Sequence, residues 1–205
     1  MDSADDLWLE CSGTPLKWHY PVGVLYDLRR PDETDDALPW HVTDFPENEI
    51  LHFSTKEAIE AYFFQTVKEA DQLKHRGEII SKMQKMEQKS MWNALLNDKF
   101  EQFWASNSRL MENSSINPIK YLPIRVYNKD QTFIQRLIST NNENGQMNTV
   151  LDMLRSFFPN RADASVDVLR VFCQSVHIPH CTPLLWLYVN MSYPDNFLHL
   201  CISEQ

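Results

Sequence analysis

Lys68-Glu69-Ala70-Asp71-Gln72-Leu73-Lys74-His75 is the segment of this chain best placed to take part in chemistry. Ile59, Phe63, Val67, Ala70 and Leu73 recur at three- and four-residue steps, which marks an amphipathic helix. Lys68 falls one step past Val67, at the edge of that stripe, with its amine in water. Glu69 and Asp71 nearby favour its charged form. An amine must shed a proton to act as a nucleophile, so an isopeptide bond at Lys68 needs an external enzyme to desolvate it. Spacing alone does not lift Lys68 above the other lysines, since an exposed helical lysine is ordinarily a solvating one.

Cys173, His177, His180 and Cys181 are of metal-ligand type. Zinc wants four ligands that converge tetrahedrally. These positions lack paired cysteine spacing, and Pro179 stiffens the middle, so small buried thiols are the expectation. The acidic run Asp32, Glu33, Asp35 and Asp36 reads as a solvated loop rather than a cation site. No Ser-His-Asp, Cys-His or paired-carboxylate set stands out, and no glycine loop could cradle a phosphate. The expectation is a protein without catalytic residue, cofactor or metal, on which other enzymes act.

The elements that must position Lys68 need a core, and 43% hydrophobic residues in 205 supply one. Four cysteines are too scattered for a disulfide framework. A net charge of -9 argues against nucleic acid, whose phosphates need a surplus of Lys and Arg. The acidic N-terminus lacks the basic start and apolar run of a secretory signal. No apolar stretch approaches the ~20 residues of a bilayer span. The expectation is a cytoplasmic protein with at most peripheral membrane contact.

Residues 1–53 read as a small α/β unit. Its strands are predicted at Leu7–Cys11, Leu16–Tyr20 and Trp40–Thr43, with a helix started by Pro21. Residues 54–113 read as a helix-rich unit, with capping-box spacings at Ser54/Glu57 and Asp98/Glu101. The Lys68 helix could run on to Ile80 and Met83, with a weak point at Gly77. Another helix is predicted over Ser90–Leu96. In residues 119–205, strands are predicted from Tyr121 to Tyr127, Phe133 to Ile138, Val168 to Val176 and Phe197 to Ile202. Thr149 caps one helix and Thr182-Pro183 starts another. That order is the order of a ubiquitin-like roll. The fold class is therefore α+β: two ubiquitin-like β-grasp units, the first incomplete, flanking a helix-rich module.

Several stretches identify a resemblance. They are Gly13 to Asp27, Ala37 to Trp40, Lys56 to Ala61, Lys68 to His75, Asn97 to Trp104, Leu110 to Glu112 and Ser192 to His199. In this order they resemble the autophagy protein 5 family. The resemblance implies that Lys68 is the isopeptide acceptor for the ubiquitin-like autophagy protein 12, delivered by E2-like conjugating enzymes. It implies that the conjugate binds the N-terminal helix of autophagy protein 16. It further implies that the complex acts E3-like, promoting lipidation of autophagy protein 8 with phosphatidylethanolamine at the preautophagosomal membrane. Against the family pattern, two strands and a long helix before Leu7 are expected to be missing, and the strand after Trp40 to be shorter. The first unit is then expected to leave an apolar face and a strand edge exposed. Two rival readings are a non-conjugated protein-binding module and a metal-dependent enzyme.

Overall fold

The computed structural model describes residues 9–11, 13–17, 19–29, 43–44, 56–114, 118–130 and 132–204. Leu7, Trp40, Ser54 and the acidic run at 32–36 lie outside them.

The C-terminal unit is organised by two strands that meet from opposite ends of the segment. β-strands Tyr121–Tyr127 and Phe133–Ser139 form an antiparallel hairpin. Strand Leu198–Glu204 then lies parallel to Tyr121–Tyr127, with Ile124 opposite Leu198. In chain order within the whole molecule, the strands are β1 Leu9–Cys11, β2 Thr14–Pro15, β3 Thr43–Asp44, β4 Tyr121–Tyr127, β5 Phe133–Ser139, β6 Leu169–Cys173, β7 Val176–Ile178 and β8 Leu198–Glu204. The larger sheet has the order β5-β4-β8-β6-β7. The helices are α1 Val22–Arg29, α2 Lys56–His75, α3 Glu78–Lys82, α4 Lys85–Leu96, α5 Phe100–Leu110, α6 Val150–Phe157, α7 Asp163–Asp167 and α8 Leu184–Met191.

On one face of β4, Leu122, Ile124 and Val126 are fully buried against Met153, Leu154 and Phe157 of α6. Thr149 and Asp152 form the capping box that starts α6. The chain between Leu169 and Ile178 is a hairpin rather than the single strand expected over Val168–Val176. It reverses at Gln174 and Ser175, whose φ angles are 50° and 68°. Neither residue is a glycine, so the usual signal for a tight hairpin is missing from the sequence.

The helix-rich unit packs Phe64, Val67, Met91, Trp92, Phe103 and Leu110 into its own core. α2 does not continue to Met83. Arg76 and Gly77 both turn left-handed, at φ 58° and 77°, and Gly77 donates its amide to Asp71 O at 3.2 Å. Glycine suits this position because a Cβ there is strained by the backbone and would meet Gln72 Oε1 at 2.8 Å. The capping box expected at Asp98/Glu101 does not form. Asp98 sits in the turn leaving α4, at φ 54°, and α5 begins after Lys99 with no side-chain cap.

At the N-terminal end, β2, β1 and β3 form a small sheet. β2 ends at Pro15, before the strand predicted over Leu16–Tyr20, and Tyr20 N donates to Lys17 O at 2.8 Å. Part of the apolar surface of the described residues here is covered. Leu16, Tyr20, Val24 and Leu25 bury against Tyr127, Phe172 and Cys201 of the larger sheet. Val24 and Leu25 each contribute about 2 kcal/mol by leaving water. α1 approaches closely because residue 23 is glycine: a Cβ there would stand 2.4 Å from Tyr193 Oη. Asp27 accepts the Ser175 amide at 2.7 Å.

Candidate functional site around Lys68

Lys68 is exposed on α2 and has no hydrogen-bond or ion-pair partner among the described residues. Its neighbours on the helix are anything but free. Glu69 Oε2 accepts from Arg125 Nη2 of β4 at 3.0 Å. The Arg125 side chain is only 7% exposed. It lies flat over Phe197 at 4.0 Å and near Phe133 at 4.9 Å, while its Nε donates to Gln135 at 3.0 Å. A buried guanidinium needs this combination of carboxylate, amide oxygen and aromatic faces.

Asp71, fully buried, holds the other side of the helix. Its carboxylate accepts from the Ile79 and Ile80 amides at 3.1 and 2.9 Å and from His75 Nδ1 at 2.9 Å. It thereby caps α3 from the preceding helix, satisfying amides that no local side chain reaches. Burial raises its pKa, but the His75 and Ile80 hydrogen bonds and the charges of His75 and Lys74 outweigh that and hold it below the ordinary value.

Lys74 is also buried, at 6% exposure. Its Nζ donates to Leu110 O and, at 3.0 Å, to Asn196 Oδ1, and stands 5.5 Å over the Tyr188 ring. Burial lowers its pKa to about 7, against the opposing pull of Asp71 and Asp195. Asn196 sits at φ 67° and passes the network on, donating Nδ2 to Asn107 Oδ1 at 2.7 Å. Asparagine tolerates that left-handed backbone.

Next to Asn196 lies a relay that the sequence does not announce. Asp195 Oδ2 accepts from His199 Nε2 at 2.9 Å, and His199 Nδ1 meets Tyr127 Oη at 2.8 Å. With Nε2 bearing the proton, Nδ1 accepts from the tyrosine hydroxyl. The order resembles a catalytic triad, yet Tyr127 and His199 are buried. Burial drives the Tyr127 hydroxyl further above its ordinary value, away from nucleophilic use. The relay holds the 192–199 turn against β4.

Lys68 is thus an exposed amine on a helix that is fastened on both sides. Glu69 ties it to β4, Asp71 ties it to α3, and Lys74 ties it to α5 and the turn before β8. The four residues of metal-ligand type are not brought together. Cys173 is buried, with its thiol pushed up to about 12 by burial, and Cys181 is exposed. His180 Nε2 is bonded to Leu169 O at 2.7 Å, and His177 lies on β7. Among the described residues no group of His, Cys, Asp and Glu could hold a metal. No described helix is long and apolar enough to cross a membrane.

Two apolar grooves share Leu95, Tyr193 and Pro194, and one of them is lined by α2. One, of about 290 Å³, is walled by residues from α2, from the segment before α1 and from the turn before β8. The other, of about 460 Å³, carries the exposed stacked pair Phe100 and Trp104. Buried aromatic anchors in such grooves are what a partner helix seeks.

Known proteins share the sequence and fold of this chain. The family model described as "Autophagy protein ATG5, UblA domain" matches residues 1–44. The alpha-helical bundle region of the same family matches 56–113, and its UblB domain matches 121–202. "Autophagy protein 5" of Drosophila melanogaster is 42% identical over 96% of this chain and 73% of its own length. "Autophagy-related protein 5" of Caenorhabditis elegans is 35% identical over 97% and 75%. The crystal structure of Kluyveromyces marxianus Atg5 superposes with a TM-score of 0.74 at 22% identity, covering 95% of this chain and 72% of that one. The fold is two ubiquitin-like units flanking a helical module. The chain belongs to the autophagy protein 5 family, and its role lies in autophagy.

Proposed function

We propose that this chain is a non-catalytic scaffold that receives autophagy protein 12 at Lys68 and binds autophagy protein 16. The resulting complex acts E3-like in the cytoplasm and peripherally at the preautophagosomal membrane, promoting lipidation of autophagy protein 8 with phosphatidylethanolamine. The observation that carries the reading is the setting of Lys68: an exposed, unpartnered amine on a helix whose flanking carboxylates and lysine are all engaged. In the conjugation step, the deprotonated amine attacks the C-terminal glycine carbonyl of the modifier, held as a thioester on an E2-like enzyme. A C–N bond forms, the C–S bond breaks, and the thiolate leaves with the proton supplied by the amine. A fixed helix lowers the cost of bringing one amine into line. The two apolar grooves that meet at Leu95, Tyr193 and Pro194 support the binding of a partner helix.

Co-expression with the modifier and its E1- and E2-like enzymes should yield a covalent band that Lys68→Arg abolishes. Persistence of the band in Lys68→Arg would move the acceptor elsewhere. Capture of the autophagy protein 16 helix without any covalent band would favour a non-conjugated binding module.

A further inference from the structure

A third groove opens where α2 ends. Its volume is about 560 Å³, and it is walled by the α2–α3 turn, α3, the end of α5 and the approach to β4. The chain as a whole carries -9, yet this concavity gathers Arg76, Lys82, Arg109 and Lys120, all exposed. Lys82 faces Glu78 at 3.6 Å and Arg109 faces Glu87 at 3.0 Å. Arg76 and Lys120 have no ion pair among the described residues. Arg76 is presented from a left-handed residue.

The wall also holds a polar atom in need of a partner. His75 lines the groove with its side chain 9% exposed. Its Nδ1 is committed to Asp71, and its buried Nε2 has no hydrogen bond. With Nδ1 committed to that carboxylate, Nε2 is the ring atom left for a partner from outside the fold.

We propose that this groove binds an acidic peptide segment, with side-chain carboxylates meeting Arg76, Lys120 and His75. The walls decide between anions. Glu78 and Glu112 interrupt the cations, which disfavours a continuous polyanion and suits spaced carboxylates. Leu73, Ile79 and Tyr121 supply apolar contact, and Tyr121 is 42% exposed. Leu137, two register pairs along from Tyr121 on the same sheet face, is 53% exposed. A concave wall admits an extended peptide better than a flat bilayer. The assignment does not depend on Lys68.

Fluorescence anisotropy of the full chain tests it, using a fluorescein-labelled peptide alternating glutamate with leucine and a control with glutamine in place of glutamate. The glutamate peptide should bind at least ~10-fold tighter than the control. Arg76→Gln/Lys120→Gln should weaken it by roughly 10-fold, and added salt should weaken it further. Lys68→Arg should leave it unchanged, which separates this outcome from any failure of conjugation. Equal affinity for the two peptides, or an undiminished affinity in the double variant, overturns the proposal. So does a double variant that loses only binding to phosphatidylserine vesicles while the peptide never binds, since that outcome assigns the cations to a lipid surface.

Discussion

Lys74 Nζ lies 3.0 Å from Asn196 Oδ1, across 122 residues of sequence, and this contact joins the Lys68 helix to the C-terminal ubiquitin-like unit. Asn196 bonds Asn107 in turn, so α2, α5 and the turn before β8 share one buried network.

The network makes stability depend on pH in a definite direction. Lys74 has a folded pKa of about 7 against an ordinary 10.5. Between those values the unfolded chain holds more protons than the folded one, so this lysine's contribution rises with pH across the window. Urea midpoints measured through it should climb in the parent chain and flatten in Lys74→Met. An equal climb in both would show that another group titrates.

Asp71 caps α3 through the Ile79 and Ile80 amides. Asp71→Ala should cost about 1–3 kcal/mol, because two amides and a histidine lose their acceptor. Its folded pKa is depressed, so its contribution is complete above the unfolded carboxyl value and fades as pH falls through the lower folded value. Hydrogen exchange at Ile79 and Ile80 of α3 should speed up before that of the α2 amides; unchanged exchange there would contradict the capping role.

Arg125 is buried while Glu69 is 43% exposed, so the pair should respond asymmetrically. Glu69→Ala strands a buried cation and should cost ~2–3 kcal/mol. Glu69→Ala/Arg125→Leu removes that cation along with its partner and should recover roughly half of the loss. Denaturant titrations of the single and double variants give the coupling, and additive losses would refute it.

Gly23 is where α1 meets Tyr193. Gly23→Ala forces a methyl group against Tyr193 Oη and should destabilise by about 1–3 kcal/mol. Tyr193→Phe removes that hydroxyl, which has no partner among the described residues, and should rescue the variant. Reaction of Cys201 with a thiol reagent, slow when α1 covers it, should accelerate in Gly23→Ala and slow again in the pair. Equal Cys201 reactivity in all the variants would rule out displacement of α1.

The elements were legible wherever period and cap agreed. Thr149 announced α6, the alternation from Tyr121 to Tyr127 announced β4, and Pro21 announced α1. The Gln174-Ser175 hairpin was hidden because its left-handed residues are not glycines. The environment of α2 was hidden for a different reason. Lys68 follows Val67 as Lys74 follows Leu73, one step off the apolar stripe. Local pattern assigns both amines to water. Their fates diverge because α5 and the 192–196 turn cover only the end of the helix, and that cover comes from distant sequence. The basic groove had the same origin: its cations come from four separate stretches, and no single run of charge marks them.

The packing of α1 against β8 also bears on how the chain is made. Val24 can be covered only when Cys201 exists to cover it. On the ribosome, α1 must wait without its floor until β8 has been synthesised. The helical module, complete in its local contacts, is free to form meanwhile. Biogenesis thus includes a closing step between two elements far apart in sequence, α1 and β8. Any arrest of translation before β8 leaves α1 as an adhesive surface for chaperones.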